Sequence, residues 1–250
     1  MEKKFELVLE TEKEFFGIKM FRVRALISFS CVKKGDLSGY IEKENNLSQF
    51  GDAWVSGNAC VFGDARVFGN ACVFGDARVS GDACVSGNAR VSGDACVFGD
   101  ARVFGDAWVF GNARVFGDAW VFGNARVSGN ACVFGDARVF GDAWVFGNAR
   151  VSGNACVFGD ARVFGNACVF GDARVSGDAW VKKINQCINI LNLQFPITLT
   201  PQNIQIGCHL KTHKEWLKVT KKEAVKMGLK SKNYLLFKNL IKLLMKEVKK

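Results

Sequence analysis

Residues 51–182 repeat without interruption in units of six, and that periodicity constrains the chain more than any other feature. There are 22 units, from Gly51-Asp-Ala-Trp-Val-Ser56 to Gly177-Asp-Ala-Trp-Val-Lys182. The first residue is always Gly, the second Asp or Asn, the third Ala and the fifth Val. The fourth is Arg, Cys or Trp, and the sixth is Phe or Ser until Lys182 closes the series. So short a period over half a chain predicts a solenoid, whose units bury their apolar side only against neighbours.

In Ala65-Arg66-Val67-Phe68, alternation puts Ala65 and Val67 on one face of a strand of about four residues and Arg66 and Phe68 on the other. Gly69-Asn70 then makes the corner, because Gly takes positive φ at little cost and Asn tolerates it. The predicted core is a slim stack of 22 Val and 22 Ala. Each buried Val contributes at most about 1.5–3 kcal/mol.

The fourth position sets the number of units per turn. From the third unit to the twenty-first, every odd unit carries Arg, ten in all from Arg66 to Arg174. Two units per turn would stack all ten in one column about 4.8 Å apart. Each neighbouring pair would then cost about 1 kcal/mol even in water. Three units per turn place each residue over the one 18 positions away, so every Arg meets Cys or Trp. One face then reads Trp54, Cys72, Arg90, Trp108, Arg126, Trp144, Arg162, Trp180. Guanidinium–indole contacts of about 0.5–1 kcal/mol each would line it, and Trp108, Trp144, Trp180, Arg126 and Arg162 form a candidate interaction surface. The expected rod has just over seven turns and a length of roughly 35 Å. The same register stacks Asp64, Asp82, Asp100, Asp118, Asp136 and Asp172, interrupted by Asn154, into a corner row. Such a row reads first as a solvated edge, with neighbouring Arg or a cation to neutralise it.

The Val-x-x-x-Ala-x pattern resembles the hexapeptide motif of left-handed β-helix proteins, the superfamily of hexapeptide-repeat acyltransferases. The resemblance covers about half the chain and implies a left-handed helix, frequent trimers and, in the enzymes, a histidine with an acyl donor bound between subunits. Here the residue after Val is Phe or Ser rather than small or acidic, no unit contains His and no loop interrupts the run. These departures argue against an enzyme, and no catalytic residue or cofactor is assigned. The stretch from Phe21 to Gln49, with Gly39-Tyr-Ile-Glu-Lys-Glu-Asn-Asn-Leu-Ser48, more closely resembles the leader of phage- and prophage-type hexapeptide-repeat proteins, which brings no established activity.

The expected fold is therefore an all-β solenoid: a triangular, left-handed parallel β-helix of about 18 residues per turn. Residues 1–50 read as a β cap or leader, with strands at Phe5–Leu9 and Met20–Ser28, a turn at Phe16-Gly17, and Phe21, Val23, Ala25 and Ile27 on one face. Lys33–Gly39 reads as a plain turn, since the Walker spacing is absent. Residues 183–207 leave the six-residue period but keep alternating, with a turn at Thr200–Asn203, and are expected to close the open end. Residues 208–250 switch to helix: Thr212–Glu215 and Thr220–Glu223 are capping boxes, and Gly228 stops the second helix. A third helix from about Lys232 would carry an apolar stripe of Leu236, Leu240, Leu243 and Leu244, with Lys238, Lys242 and Lys246 on another face.

The net charge of +10 is concentrated in the tail: residues 183–250 hold 14 Lys and 3 Glu. That face, through Lys238, Lys242 and Lys246, suits nucleic acid, an anionic surface or an acidic partner. Cys208, His209 and His213 are the only metal-like cluster, at a spacing that matches no standard zinc pattern. The Cys of the repeats read as reduced residues too far apart to bridge. No apolar run is long enough to span a membrane and no signal peptide is evident, so a cytoplasmic location is expected. The favoured function is a non-enzymatic structural or interaction scaffold, a homo-oligomer with a basic tail that engages a partner. The alternatives are an acyltransferase-like enzyme, carried by resemblance alone, and nucleic-acid or anionic-surface binding through the tail.

Overall fold

The computed structural model describes residues 3–15, 17–183, 186–190 and 193–248. The repeats form 22 two-residue strands, β4 (Trp54–Val55) through β25 (Trp180–Val181), each the Val and the residue before it. They wind three to a turn: Arg90 pairs in parallel with Cys72 on one side and Trp108 on the other, 18 positions away in each direction. Three flat faces result, of eight, seven and seven repeat strands, around a triangular core. All 22 Ala and 22 Val of the repeats are buried in one continuous cluster.

The regular strands are shorter than the four residues that alternation suggests, because the flanking Ala and Phe or Ser lie on the shoulders of a tight corner. Hydrogen bonding between turns nevertheless continues around it. Arg102 N–H donates to Ala119 O at 2.9 Å, Phe104 N–H to Val121 O at 3.0 Å, and Asn88 N–H to Gly105 O at 2.8 Å. At Gly105 the corner demands glycine twice over. Its φ is +71°, and a Cβ would lie 3.0 Å from Gly123 N in the next turn.

The leader is fused to the first turn rather than merely adjacent. Strands β1 (Phe5–Phe15) and β2 (Ile18–Ala25) form an antiparallel hairpin, and β2 pairs with β3 (Leu37–Ile41). Strand β3 then runs parallel to Cys60-Val61 and begins the solenoid. Phe16 lies outside the described residues. Val23 and Ala25 join the solenoid core, Met20 is buried outside that cluster and Phe21 stays half-exposed, while the register irregularity between Arg22 and Arg24 falls opposite Ser38-Gly39 of β3. The Lys33–Gly39 segment is a turn only in its first part. Gly39 lies in β3, where a Cβ would come within 2.6 Å of Ala59 O.

Both ends of the stack are closed by side chains of the right polarity. In the interior, Ala carbonyls accept N–H groups from the preceding turn; in the first turn the leader supplies the donors. Tyr40 N–H reaches Ala59 O at 2.8 Å and Ser48 N–H reaches Val67 O at 2.9 Å. Asn46 Nδ2 donates to Ala65 O at 2.9 Å, and Lys4 Nζ donates to Ala53 O at 2.9 Å and Gly51 O at 3.2 Å. At the far end the N–H groups of Arg174 and Trp180 have no further turn to bond. Thr198 Oγ1 and Gln202 Oε1 accept them, each at 2.9 Å.

Those acceptors come from a second unit. A four-stranded antiparallel sheet, β26 (Ile188–Ile190), β27 (Ile197–Leu199), β28 (Asn203–Ile206) and β29 (His209–Thr212), sits on the last turn. Strand pairing thus runs on to Thr212, past the end of the alternation visible in the sequence, because β29 completes the pairing of β28. Helices α1 (His213–Lys218), α2 (Lys221–Lys226) and α3 (Tyr234–Val248) pack on this sheet through Trp216, Ala224, Phe237 and Ile241. Thr212 with Glu215 and Thr220 with Glu223 both make full capping boxes. Gly228, at φ +92°, ends α2 with Leu229 N–H to Ala224 O and Gly228 N–H to Val225 O, a Schellman closure.

Two outcomes follow. Gly105→Ala should destabilise the rod by about 2 kcal/mol or more in urea unfolding, since strain at positive φ adds to backbone overlap. Lys4, only 3% exposed, has its pKa pulled down to about 8 from 10.5 by burial, against the opposing pull of Asp52. The unfolded chain therefore holds that proton more tightly between about pH 8 and 10.5. Stability of the wild type relative to Lys4→Met should rise through that window, by on the order of 3 kcal/mol at full extent, and fall back as the pH drops through 8.

Candidate interaction surface

Outward columns on the rod are set by the 18-residue register. On the eight-stranded face the column runs Trp54, Cys72, Arg90, Trp108, Arg126, Trp144, Arg162, Trp180, as the sequence predicts. Its first indole is covered: Trp54 is buried, with Phe29 edge-on at 5.5 Å. Trp108 is half-buried, its Nε1 donating to Ser92 Oγ at 3.1 Å and its ring tilted on Phe110. Farther along, the contacts tighten and the indoles open to solvent. Arg126 sits 4.9 Å from the Trp144 ring on one side and Arg162 sits 5.6 Å from it on the other. Arg162 also covers Trp180 at 5.1 Å. Trp144 and Trp180 remain 39% and 49% exposed.

Trp120 belongs to the same chemistry but lies on a different face, between Arg102 at 5.0 Å and Arg138 at 5.6 Å. The arithmetic that found the first column would have found this one. The sixth-position Phe rings stack on each other from turn to turn. Phe98, Phe116 and Phe134 lie 4.9 and 5.0 Å apart, and Phe104, Phe122, Phe140 and Phe158 form a longer pile. All these planes are within 6° of parallel. Stacking leaves most rings half-buried, with Phe68, Phe98 and Phe170 exposed.

The Cys that separate the Arg are thiols, as are all ten in the chain. Burial pushes Cys60, Cys72 and Cys156 up, against the pull of neighbouring Arg, and pushes Cys187 up to about 12. Protonated, Cys60, Cys72 and Cys156 are neutral spacers rather than nucleophiles. In the Asp corner row, Asp64 pairs with Lys43 at 2.7 Å and Asp172 accepts from Asn154 Nδ2 at 3.0 Å. Asp82, Asp100, Asp118 and Asp136 face solvent.

The tail rearranges what its sequence suggests. The face of α3 that packs inward carries Phe237 and Ile241, flanked by half-buried Leu240, Leu244 and Met245, whereas Leu236 and Leu243 turn outward. Aromatic bulk decides the rotation, with help from Lys238, which is an anchor and not a free cation. Its Nζ donates to Tyr234 Oη at 2.9 Å and to Val219 O at 3.4 Å, at the C-terminal end of α1. Lys242 and Lys246 are exposed. His213 is buried, with Nε2 2.7 Å from Thr200 O, while Cys208 is exposed on the neighbouring turn. Among the described residues no three His, Cys, Asp or Glu side chains gather as a metal site, and no helix is long and apolar enough to cross a membrane.

A double-mutant cycle of Arg126→Gln with Trp144→Leu should give a coupling of about 0.5–1 kcal/mol in unfolding free energy. Arg126→Gln paired with Trp120→Leu, on another face, should give none. No protein-family model matches this chain, and no curated protein matches its sequence.

Proposed function

We propose that this protein is a non-enzymatic interaction scaffold: a rigid rod that associates with copies of itself and carries a basic tail for a further partner. The observation that carries the reading is the outward ladder on the eight-stranded face. There Arg126, Trp144, Arg162 and Trp180 alternate without a break, and the two indoles stay open to solvent. A guanidinium already stacked between rings loses little rotamer freedom on docking, and Trp and Arg are the residues that dominate protein interfaces. Uninterrupted turns support a structural role, since no inserted loop adds chemistry to the rod. The repeat motif keeps its resemblance to the left-handed hexapeptide-repeat superfamily, in which trimers are frequent.

Light scattering on the full chain tests this directly. A mass that is a multiple of 27.4 kDa at micromolar concentration is expected, falling towards the monomer in Trp144→Ser/Trp180→Ser. A monomeric wild type would refute self-association.

A further inference from the structure

We infer that the outer face of α3 is a seat for an anionic lipid surface. This rests on the reading of the tail as the part of the chain that engages a partner, and it names that partner. With Phe237 and Ile241 facing the end-cap sheet, a rotation of 100° per residue carries Leu235, Leu236 and Leu243 to the opposite side. They are 68%, 54% and 60% exposed. Lys242 and Lys246 lie on that same outer side, also exposed. A helix docked on a core and facing only water keeps its outer side polar. Here the outer side mixes leucine with lysine, the composition of a helix that lies in a membrane interface.

Charge separates the possible occupants. Residues 183–250 hold 14 Lys against 3 Glu. Two of those Glu are committed to capping boxes, where hydrogen bonds from Thr212 and Thr220 hold Glu215 and Glu223 below the usual carboxylate range. A second copy of the tail would bring the same positive charge and be repelled. Nucleic acid would satisfy the lysines and leave three leucines in water. An anionic bilayer satisfies both: ammonium groups meet lipid phosphates, and leucine side chains enter the boundary between headgroups and acyl chains.

The test is co-sedimentation of the full chain with vesicles of phosphatidylcholine alone or mixed with phosphatidylserine. Binding is expected to the mixed vesicles and to be far weaker to phosphatidylcholine. Leu236→Ser/Leu243→Ser and Lys242→Gln/Lys246→Gln should each weaken it by about tenfold or more. All four positions are exposed, so unchanged circular dichroism is expected and confirms that the fold persists. Equal pelleting with both vesicles, or an unchanged affinity in the Leu pair, overturns the proposal. So does failure to pellet by a chain that retards duplex DNA in a gel. Light scattering on the same variants reports self-association separately, so loss of lipid binding and loss of the oligomer remain distinguishable.

Discussion

Stacking each residue over the one 18 positions along governs the whole rod. It repeats a backbone conformation 22 times and turns each column into a one-dimensional row of side chains at strand spacing. Like charges in such a row would repel at every step, and the order of residues avoids this wherever Arg occurs. Every Arg neighbour in the repeat columns is a thiol or an indole, the former spacing the charges and the latter attractive to a cation. Corner rows use another device. Asn58 donates to Asp76 at 3.1 Å, Asn88 to Asp106 at 3.0 Å and Asn130 to Asn148 at 3.2 Å, so amide protons link the turns. The Asp82–Asp136 and Asp142–Asp178 stretches stack carboxylate on carboxylate over several turns, and they do so in solvent, where screening limits the repulsion.

A stack of identical turns has no intrinsic end, and each exposed end is an open template for another strand. The two caps solve that problem with opposite chemistry. The leader brings donors, including the buried Lys4 amine and the Asn46 amide, to carbonyls that would otherwise face empty space. The C-terminal sheet brings hydroxyl and amide oxygens to N–H groups with no following turn. Since the repeats differ so little from one another, it is these caps that keep either end from accepting a further strand.

Much of this was legible before any coordinates. The spacing of ten Arg was enough to select three units per turn, and the same arithmetic placed Trp144 between Arg126 and Arg162. Capping boxes and the Gly228 closure were equally readable, because they are made by residues within a few positions of one another. Less legible were features that depend on distant partners. The burial of Met20, the burial of Lys4 and the pairing of β29 all answer to segments far away in sequence. For α3, Leu240 and Leu244 of the Leu stripe flank the inward face, and the end-cap sheet selected Phe237 and Ile241 at its centre, leaving Leu236 and Leu243 outward.

By itself, then, the order of residues determined the solenoid, its 18-residue turn, its Val and Ala core and the alternation of its outer columns. All of these follow from a period that each short segment states in full. Tertiary structure decided how the stack stops and which way the last helix faces. Both depend on matching specific donors, acceptors and apolar bulk across long separations, where no local pattern carries the information. That choice of helix face leaves three leucines and two lysines of α3 outward, and with them the surface on which the proposed lipid contact rests.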